Sequence, residues 1–264
     1  MEKIEEKNNI YIMTILFLVI ISFTTIGITN YNNYYENKTI KEIKKNAVII
    51  KDGQVKKENE GKLVLVSGKL NYNDKFVYDD LFYVTSFSPK FLRYVEMYQW
   101  YEYKTTDKNG KTIYKYGKKW SNELIDSTNF KDKKHKNPKY KVAGTLFRYS
   151  KEIKVGDYIL SQKQKEKLPC KTRIKLSSNI PVYDSYRIYD NYIINSKDPE
   201  NPEVGDNRVS YYYNDWEEIT ILAKQKNNSF DDYITNNNSK INIIIKNKQS
   251  IKKLIKFIIK KNIR

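Results

Sequence analysis

Apolar residues follow three different patterns along the chain, and the first is a long uncharged run. Residues 10–29 carry no charge over 20 positions and are followed by a polar segment. As a helix, this run would be about 30 Å long, which matches the hydrocarbon thickness of a bilayer. The leader, residues 1–9, is mixed in charge, and no Ala-x-Ala cleavage site appears after the run. We therefore predict an uncleaved transmembrane helix rather than a signal peptide.

From residue 59 to residue 235, the apolar residues come in short runs separated by turn residues, a pattern typical of β-strands. The run EGKLVLVSGKL (60–70) predicts a strand that ends in a turn at its Ser-Gly pair. The run LRYVEMYQWYEY (92–103) predicts a longer strand, and its two largely apolar faces indicate that it is covered on both sides. Hairpins are predicted at Asn-Gly (109–110) and Asn-Asp (214–215). The pattern indicates a mainly β domain, a barrel or a sandwich.

The end of the chain shows helical periodicity with a charged face. Its apolar residues recur at i, i+3, i+4, i+7 and i+8, namely at Ile251, Leu254, Ile255, Ile258 and Ile259. The other face carries Lys252, Lys253, Lys256, Lys260 and Lys261. This pattern predicts a basic amphipathic helix that lies on an anionic membrane surface. The alternative is a helix that packs on the domain and exposes its lysines to solvent.

These patterns divide the chain into five segments. They are an N-terminal tail (1–9), a transmembrane helix (10–29), a juxtamembrane helix and linker (30–58), a β-rich domain (59–235) and the basic amphipathic helix (236–264). The fold class is thus a mainly β, membrane-tethered domain with an N-terminal transmembrane helix and a C-terminal amphipathic helix.

Charge and composition exclude several functions. The net charge is +18, but Lys240–Arg264 contains nine Lys or Arg and no Asp or Glu, so half of the excess lies in a basic tail. Nucleic-acid binding is therefore not predicted. A single Cys and a single His exclude an internal disulfide and argue against a zinc site of the usual Cys/His kind. Phosphate loops, dinucleotide fingerprints and EF-hands are absent, so no catalytic residue, cofactor or metal is predicted. Cys170, beside Pro169, is predicted to be structural.

Glu96 is the strongest candidate for chemistry, because alternation places it beside Tyr98 and Trp100 on one face of a strand. A buried carboxylate must pair or change its pKa. We expect an ion pair with Arg148 or Arg208; the alternative is a general acid or ligand-binding group, although no second carboxylate stands at a recognisable spacing.

Two further motifs have structural interpretations. His135, in KKHKNP, lacks an identifiable nucleophile, so an exposed or turn-capping role is expected. Gly205 and Asp206 predict a tight turn, because glycine permits positive φ and Asp can bond to the nearby backbone. Arg208 is expected to close this turn by pairing with Asp206.

Several segments, in order, resemble the transmembrane protein 43 (LUMA) family. They are EGKLVLVSGKL, RYVEMYQW, WSNELIDSTNF followed by HKNP, NPEVGDNRVSYYY and ITILAKQ, within residues 55–230. The family-motif positions are Arg93, Glu96, Trp100, Trp120, Ser127, His135, Asn137, Pro138, Gly205, Asp206 and Arg208. The resemblance implies an integral membrane protein with a large loop domain beside the bilayer and no established catalytic residues.

The resemblance also implies a location and a topology. Animal members are associated with the endoplasmic reticulum and inner nuclear membrane and with lamins; bacterial members imply the cytoplasmic membrane. Family members carry three further spans after the loop domain, so this sequence, which ends at the basic helix, is expected to be a single-pass member that is either shortened or the product of a truncated gene. The family's domain is lumenal, whereas the lysines at 3, 7, 38, 41, 44 and 45 favour a cytoplasmic domain. Both orientations remain open.

The sequence therefore predicts a membrane-anchored, non-enzymatic scaffold whose β-domain binds protein partners or lipid headgroups. Self-assembly into a homo-oligomer is left open. The alternative is a membrane-bound enzyme or ligand sensor that uses Glu96 and the neighbouring aromatic residues.

Overall fold

The structure is a computed structural model that describes residue 34 and residues 36–73, 76–183 and 185–262. The predicted span at 10–29 lies outside the described residues. Within the described part of the chain, no helix combines the length and the apolar character needed to cross a bilayer. The prediction of a mainly β fold is confirmed, and it includes a nearly closed, barrel-like sheet.

The described helices are α1 (residues 36–46), α2 (Gln162–Lys167) and α3 (Ile251–Asn262), and a 3-10 turn covers Lys57–Asn59. The described strands are β1 (Val48–Ile50), β2 (Leu63–Tyr72), β3 (Val77–Tyr78), β4 (Thr85–Ser86), β5 (Lys90–Thr106), β6 (Thr112–Ser121), β7 (Leu146–Tyr149), β8 (Ile153–Val155), β9 (Tyr158–Ile159), β10 (Thr172–Arg173), β11 (Arg187–Tyr189), β12 (Tyr192–Ile194), β13 (Asn207–Tyr213), β14 (Glu218–Lys226), β15 (Ser229–Asp231), β16 (Tyr233–Ile234), β17 (Lys240–Ile241) and β18 (Ile243–Lys246).

The chain forms two compact units. The first contains the described residues up to Gly68 together with those from Ile219 onward, and the second is Lys69–Glu218. This division differs from the single β segment 59–235 drawn from the sequence, because β2, which begins before Gly68, pairs with β14, which begins at Glu218.

In the first unit, β14 lies between β2 on one side and β15 and β18 on the other. β1 pairs in parallel with β2, so a strand forms in the segment predicted as helix and linker. Helices α1 and α3 pack on one hydrophobic cluster of this unit, formed by Ile43, Leu63, Leu65, Leu222, Ile241 and Leu254. The described apolar residues of α3 are therefore buried against protein, as in the alternative prediction of a helix that packs on the domain.

In the second unit, the main sheet has the order β11-β12-β13-β5-β6. β5 is its long central strand: residues 90–97 pair with β7 and β13, and residues 97–106 pair with β6. The hairpin predicted at 109–110 is confirmed, because Asp107 N donates to Lys111 O and Gly110 adopts a φ of +79°. Glycine reaches this left-handed conformation without steric cost.

The two faces of β5 have different environments. Phe91, Arg93, Val95, Met97 and Gln99 are buried, whereas the alternate residues from Leu92 to Trp100 are only half-buried. The expectation of a strand fully covered on both faces is therefore wrong. The pattern misled because tyrosine and tryptophan are large and apolar enough to look like core residues while remaining partly exposed.

Two turn predictions are also wrong. β2 runs without interruption through Ser67 and Gly68 to Tyr72. The strands on either side of Asn214-Asp215 do not pair with each other: β13 pairs with β5, β10 and β12, and β14 pairs with β15, β18 and β2. A turn signal between two apolar runs reports a change of direction and does not identify the next partner strand.

Candidate functional site

The half-buried side of the second unit's main sheet carries aromatic rings and cations, and we call it the aromatic face. It is defined by Tyr94, Glu96, Tyr98, Trp100, Lys118, Trp120, Arg208 and Tyr212. Residues directly opposite in an antiparallel pair share a face and lie close together. The register places Glu96 opposite Arg208, Tyr98 opposite Trp120, and Trp100 opposite Lys118.

An ion pair lies at the centre of this face. Arg208 Nε donates to Glu96 Oε2 at 2.8 Å, and the guanidinium lies 4.5 Å from the ring centres of both Trp120 and Tyr192. The predicted pairing of Glu96 is confirmed with Arg208, whereas Arg148 pairs with Asp80 at 3.0 Å. The Glu96 carboxylate accepts a charge-assisted hydrogen bond from a guanidinium that lies against two aromatic rings. This arrangement is suited to positioning the Arg208 cation more than to transferring a proton.

The predicted contact between Asp206 and Arg208 is wrong. Asp206 Oδ2 instead accepts a hydrogen bond from the backbone N–H of Glu203 at 2.8 Å, while Arg208 turns to Glu96. Asp206 and Arg208 are two residues apart, on either side of buried Asn207, so both side chains were expected on the same side of the chain, where they could form an ion pair. Register across the sheet decides the outcome, because it places Glu96 directly opposite Arg208.

Trp100 forms one end of the aromatic face. Lys118 Nζ lies 4.7 Å from its ring centre, and the His135 ring meets it edge-on at 4.4 Å. The other contact of His135 is a parallel stack on Tyr116 at 4.0 Å. The expectation of an exposed ring is therefore wrong, since the ring is enclosed between two aromatic side chains, whereas the backbone N–H of His135 closes a turn by donating to Asp132 O. His135 Nδ1 is 3.1 Å from Asp132 Oδ2, but the two atoms do not form a hydrogen bond.

A hydrogen-bonded chain of residues, which the sequence did not indicate, supports the Tyr116 ring. Its hydroxyl donates to Glu102 Oε2 at 2.7 Å and accepts from the backbone N–H of Asp132, also at 2.7 Å. Glu102 Oε2 further accepts from the N–H of Lys131 at 2.6 Å. These bonds, that of Tyr116 first, lower the pKa of Glu102, and desolvation followed by the Glu102 contact raises the pKa of Tyr116. From the sequence, the hydrogen bond between Glu102 and Tyr116 could have been suggested only by the predicted hairpin, which places the two residues directly opposite each other.

The remaining motif residues complete the edge of β5 where β13 ends. The last residue pair between β13 and β5 is Asn207 with Met97. Beyond it, Tyr98 N donates to Asp206 O at 2.8 Å, and Tyr98 O accepts from Gly205 N at 2.9 Å. For Trp100, the Asn137 amide side chain replaces a neighbouring strand: its oxygen accepts from Trp100 N at 2.8 Å and its nitrogen donates to Trp100 O at 2.9 Å.

Ser127, Pro138 and Gly205 fix this edge in place. Ser127 Oγ accepts from the backbone N–H of Asn137 at 2.9 Å. Gly205 has a φ of +106°, and a Cβ there would lie 3.2 Å from Pro138 Cγ. The sequence prediction of a tight glycine turn is thus confirmed. The loop containing HKNP and the turn containing PEVGD act together as a substitute strand that holds Tyr98 and Trp100.

Arg93 is the one motif position on the opposite, buried face. Its Nη1 lies 2.5 Å from Asp79 Oδ1, and its Nε donates to Gly144 O at 3.2 Å. Tyr211, directly opposite on β13, donates its hydroxyl to Asp79 Oδ2 at 2.5 Å. Burial, reinforced by this bond to Asp79, strongly raises the pKa of Tyr211. Asp79 and Tyr211 were not identified from the sequence.

The described residues offer little for metal or thiol chemistry. Across residues 34, 36–73, 76–183 and 185–262, no group of three or more His, Cys, Asp or Glu is placed to hold a metal ion. Burial raises the pKa of the Cys170 thiol to about 11, against a partial opposing effect of Lys90. The thiol is therefore protonated at neutral pH, which agrees with the structural role predicted for it.

Comparison with known proteins identifies similar sequences. The profile of the Transmembrane protein 43 family matches residues 97–263. The chain is 34% identical over 165 residues to Transmembrane protein 43 of Homo sapiens, covering 59% of this chain and 41% of that protein. It is 29% identical over 197 residues to the protein of the same name from Mus musculus, covering 67% and 49%. The chain thus spans less than half the length of these curated relatives. No solved structure matches it.

Proposed function

Because the chain belongs to the transmembrane protein 43 family, we propose that it is a membrane-anchored, non-enzymatic scaffold whose β-rich domain binds a protein partner beside the bilayer. Its relatives are named as transmembrane proteins, which supports a membrane location. In this proposal residues 10–29 supply a single span. The membrane would be the endoplasmic reticulum or inner nuclear membrane in a nucleated source, and the cytoplasmic membrane in a bacterium.

The aromatic face is the observation that carries the partner-binding part of the proposal. Tyr, Trp and Arg are enriched in the energetically important parts of protein interfaces, because they bury large areas at a low cost in side-chain entropy. Here they are half-buried, and their positions are fixed by cross-strand contacts. The charge of Arg208 is already balanced by Glu96, so covering this face would not leave it unpaired.

Site-specific photocrosslinking tests the proposal. We would replace Tyr98 or Tyr212 with a benzophenone amino acid in the full chain and irradiate intact source membranes. Tyr140 is the matched control, because it is 83% exposed and outside the aromatic face. The proposal predicts a discrete adduct from Tyr98 and Tyr212, with either a second copy of the chain or another protein, that the Tyr140 variant does not form. Identical adducts from all three positions, or none, would reject the aromatic face as the binding site.

A further inference from the structure

Helices α1 and α3 come from opposite ends of the described chain but share one hydrophobic cluster of the first unit. Ile43 of α1 and Leu254 of α3 are both fully buried, and Ile255 is 7% exposed. The apolar residues at the start of α3 are therefore occupied by protein contacts. They cannot also insert into a lipid layer, which is the usual mode of a surface-bound amphipathic helix.

The lysines of both helices whose side chains the structure describes point away from that cluster. The exposed ones are Lys38, Lys41, Lys44 and Lys45 of α1 and Lys252, Lys253 and Lys256 of α3. At about 100° per residue, Lys41, Lys45, Lys253 and Lys256 lie roughly opposite the buried residues of their own helices. The side chains of Lys260 and Lys261 lie outside those that the structure describes.

Acidic side chains do not offset these lysines on the exposed helix faces. α3 contains no Asp or Glu. On α1, Glu42 turns toward the unit, where its carboxylate accepts from the Tyr233 hydroxyl at 3.2 Å and the Asn236 N–H at 2.9 Å. Glu36, in the first turn, is half-buried. The two helices thus expose positive charge, which favours a negatively charged partner.

Covalent geometry keeps α1 close to the proposed membrane span. Seven residue steps separate Thr29, the end of the predicted span, from Glu36 of α1. Even a fully extended chain covers only about 25 Å over that length. Because α3 packs on the same cluster as α1, its lysines are brought to the same neighbourhood despite being more than 200 residues away along the chain.

We propose that α1 and α3 form one basic surface that binds the anionic headgroups of the bilayer in which the chain is anchored. The contact is electrostatic and made by lysines from both helices, and the apolar residues at the start of α3, Leu254 and Ile255, remain packed on the protein. This inference rests on the membrane anchoring of the proposed function and is independent of its partner-binding face.

Lysine footprinting of the full chain in nanodiscs tests the inference. The discs would contain phosphatidylcholine alone or with about a third of phosphatidylserine, and the lysines would be methylated with formaldehyde and an uncharged borane reductant. We expect the seven exposed lysines of α1 and α3 to react in the anionic discs at no more than about a third of their rate in phosphatidylcholine discs, and high salt to remove the difference. Lys108, Lys111 and Lys115 of the second unit are internal controls, because they are exposed and should react equally in both discs.

A charge-matched pair of variants tests whether the two helices act together. Neutralising α3 with Lys252→Gln, Lys253→Gln and Lys256→Gln should increase the reaction rate of the four α1 lysines in anionic discs. Lys108→Gln, Lys111→Gln and Lys115→Gln removes the same charge and should not change those rates. Circular dichroism checks that both variants fold.

Three results would overturn the inference. The first is that the α1 and α3 lysines are methylated at equal rates in the two kinds of disc. The second is that the α1 lysines keep their rates when α3 is neutralised. The third is that single-stranded RNA, added to discs without phosphatidylserine, slows methylation of these lysines as much as the anionic lipid does. The photoadduct from Tyr98 reports separately on partner binding, and co-elution with the discs reports on anchoring, so failure of the proposed function is distinguishable from failure of the lipid contact.

Discussion

Strand β5 carries two arginine–carboxylate pairs in different environments, and their comparison separates stability from recognition. On its buried face, Arg93 meets Asp79, with side-chain exposures of 10% and 0%, and Tyr211 bonds the same carboxylate. On the aromatic face, Arg208 meets Glu96, with exposures of 22% and 14%. The Asp79 side chain has no exposed surface, whereas the Arg208–Glu96 pair lies on a partly exposed face that a partner could cover.

The largest expected effect is at the buried pair. Arg93→Met leaves the Asp79 carboxylate buried with only the tyrosine and backbone donors, so we expect a loss of about 3–5 kcal/mol in the free energy of unfolding. Urea unfolding of the detergent-solubilised chain, followed by tryptophan fluorescence, measures it. Arg148→Met is the matched control, because Arg148 pairs with exposed Asp80 and its loss should have little effect. Equal losses in the two variants would show that burial does not distinguish the pairs.

The second prediction concerns the alkaline stability of the same network. The pKa of Tyr211 is raised in the folded state, whereas an unfolded tyrosine loses its proton near pH 10. Its contribution to stability is therefore complete below about pH 10 and is lost as the pH rises further. Tyr211→Phe should cost about 1–3 kcal/mol near neutral pH, because Asp79 loses a buried donor.

The pH dependence distinguishes this effect from a simple packing defect. Above about pH 10, the gap between the parent and Tyr211→Phe should narrow by about 1.4 kcal/mol per pH unit, because only the parent has this tyrosine proton to lose on unfolding. Urea unfolding at about pH 8 and about pH 11 measures the gap. Tyr212→Phe is the control, because it removes a tyrosine hydroxyl from the half-buried face of the same strand without touching Asp79. A constant gap for Tyr211→Phe would contradict the proposed role of its proton.

The third prediction moves to the aromatic face, where stability and binding should respond differently. Glu96→Gln replaces the ion pair with a neutral hydrogen bond on a partly exposed surface, so we expect a loss of only about 1 kcal/mol. The photoadduct from Tyr98 should nevertheless decrease, because the Arg208 guanidinium would no longer be held between its two rings. Asp80→Asn breaks an exposed ion pair outside the aromatic face and should leave the adduct intact. A folded Glu96→Gln protein with an unchanged adduct would remove this carboxylate from partner binding.

The two pairs also show what the sequence could reveal. Alternation along β5 places Glu96 and Arg93 on opposite faces, and it makes Arg208 a plausible cross-strand partner of Glu96. Asp79 could not be found in the same way, because it follows the two-residue strand β3 and meets Arg93 only through tertiary packing. Nor does the run of three tyrosines at 211–213 indicate by itself which ring enters the core. Local periodicity defines the faces of a strand, whereas the choice of buried face depends on segments elsewhere in the chain.

The same limit applies around the aromatic face. The glycine turn at Gly205 could be predicted because φ > 0 is a local property of the backbone. The role of Asn137 could not, because its amide bonds to the backbone of Trp100, 37 positions earlier. His135 was misplaced for a related reason: a run of lysines around it suggested a solvated loop, while the ring itself is enclosed by Trp100 and Tyr116.

The smallest predicted effect comes from two adjacent lysines that alternate across β6. Lys118 lies over Trp100 at 4.7 Å on the aromatic face, and Lys119 lies over Tyr101 at 5.0 Å on the other face. Each contact is worth about 0.5–1 kcal/mol, so Lys118→Gln and Lys119→Gln should lower stability by similar small amounts in urea unfolding. Their effects on binding should differ: only Lys118→Gln should reduce the Tyr98 photoadduct, because only Lys118 belongs to the surface that a partner would cover. Because the two variants lose the same charge one residue apart, an equal reduction would mean that overall charge, not the arrangement on the aromatic face, governs the interaction.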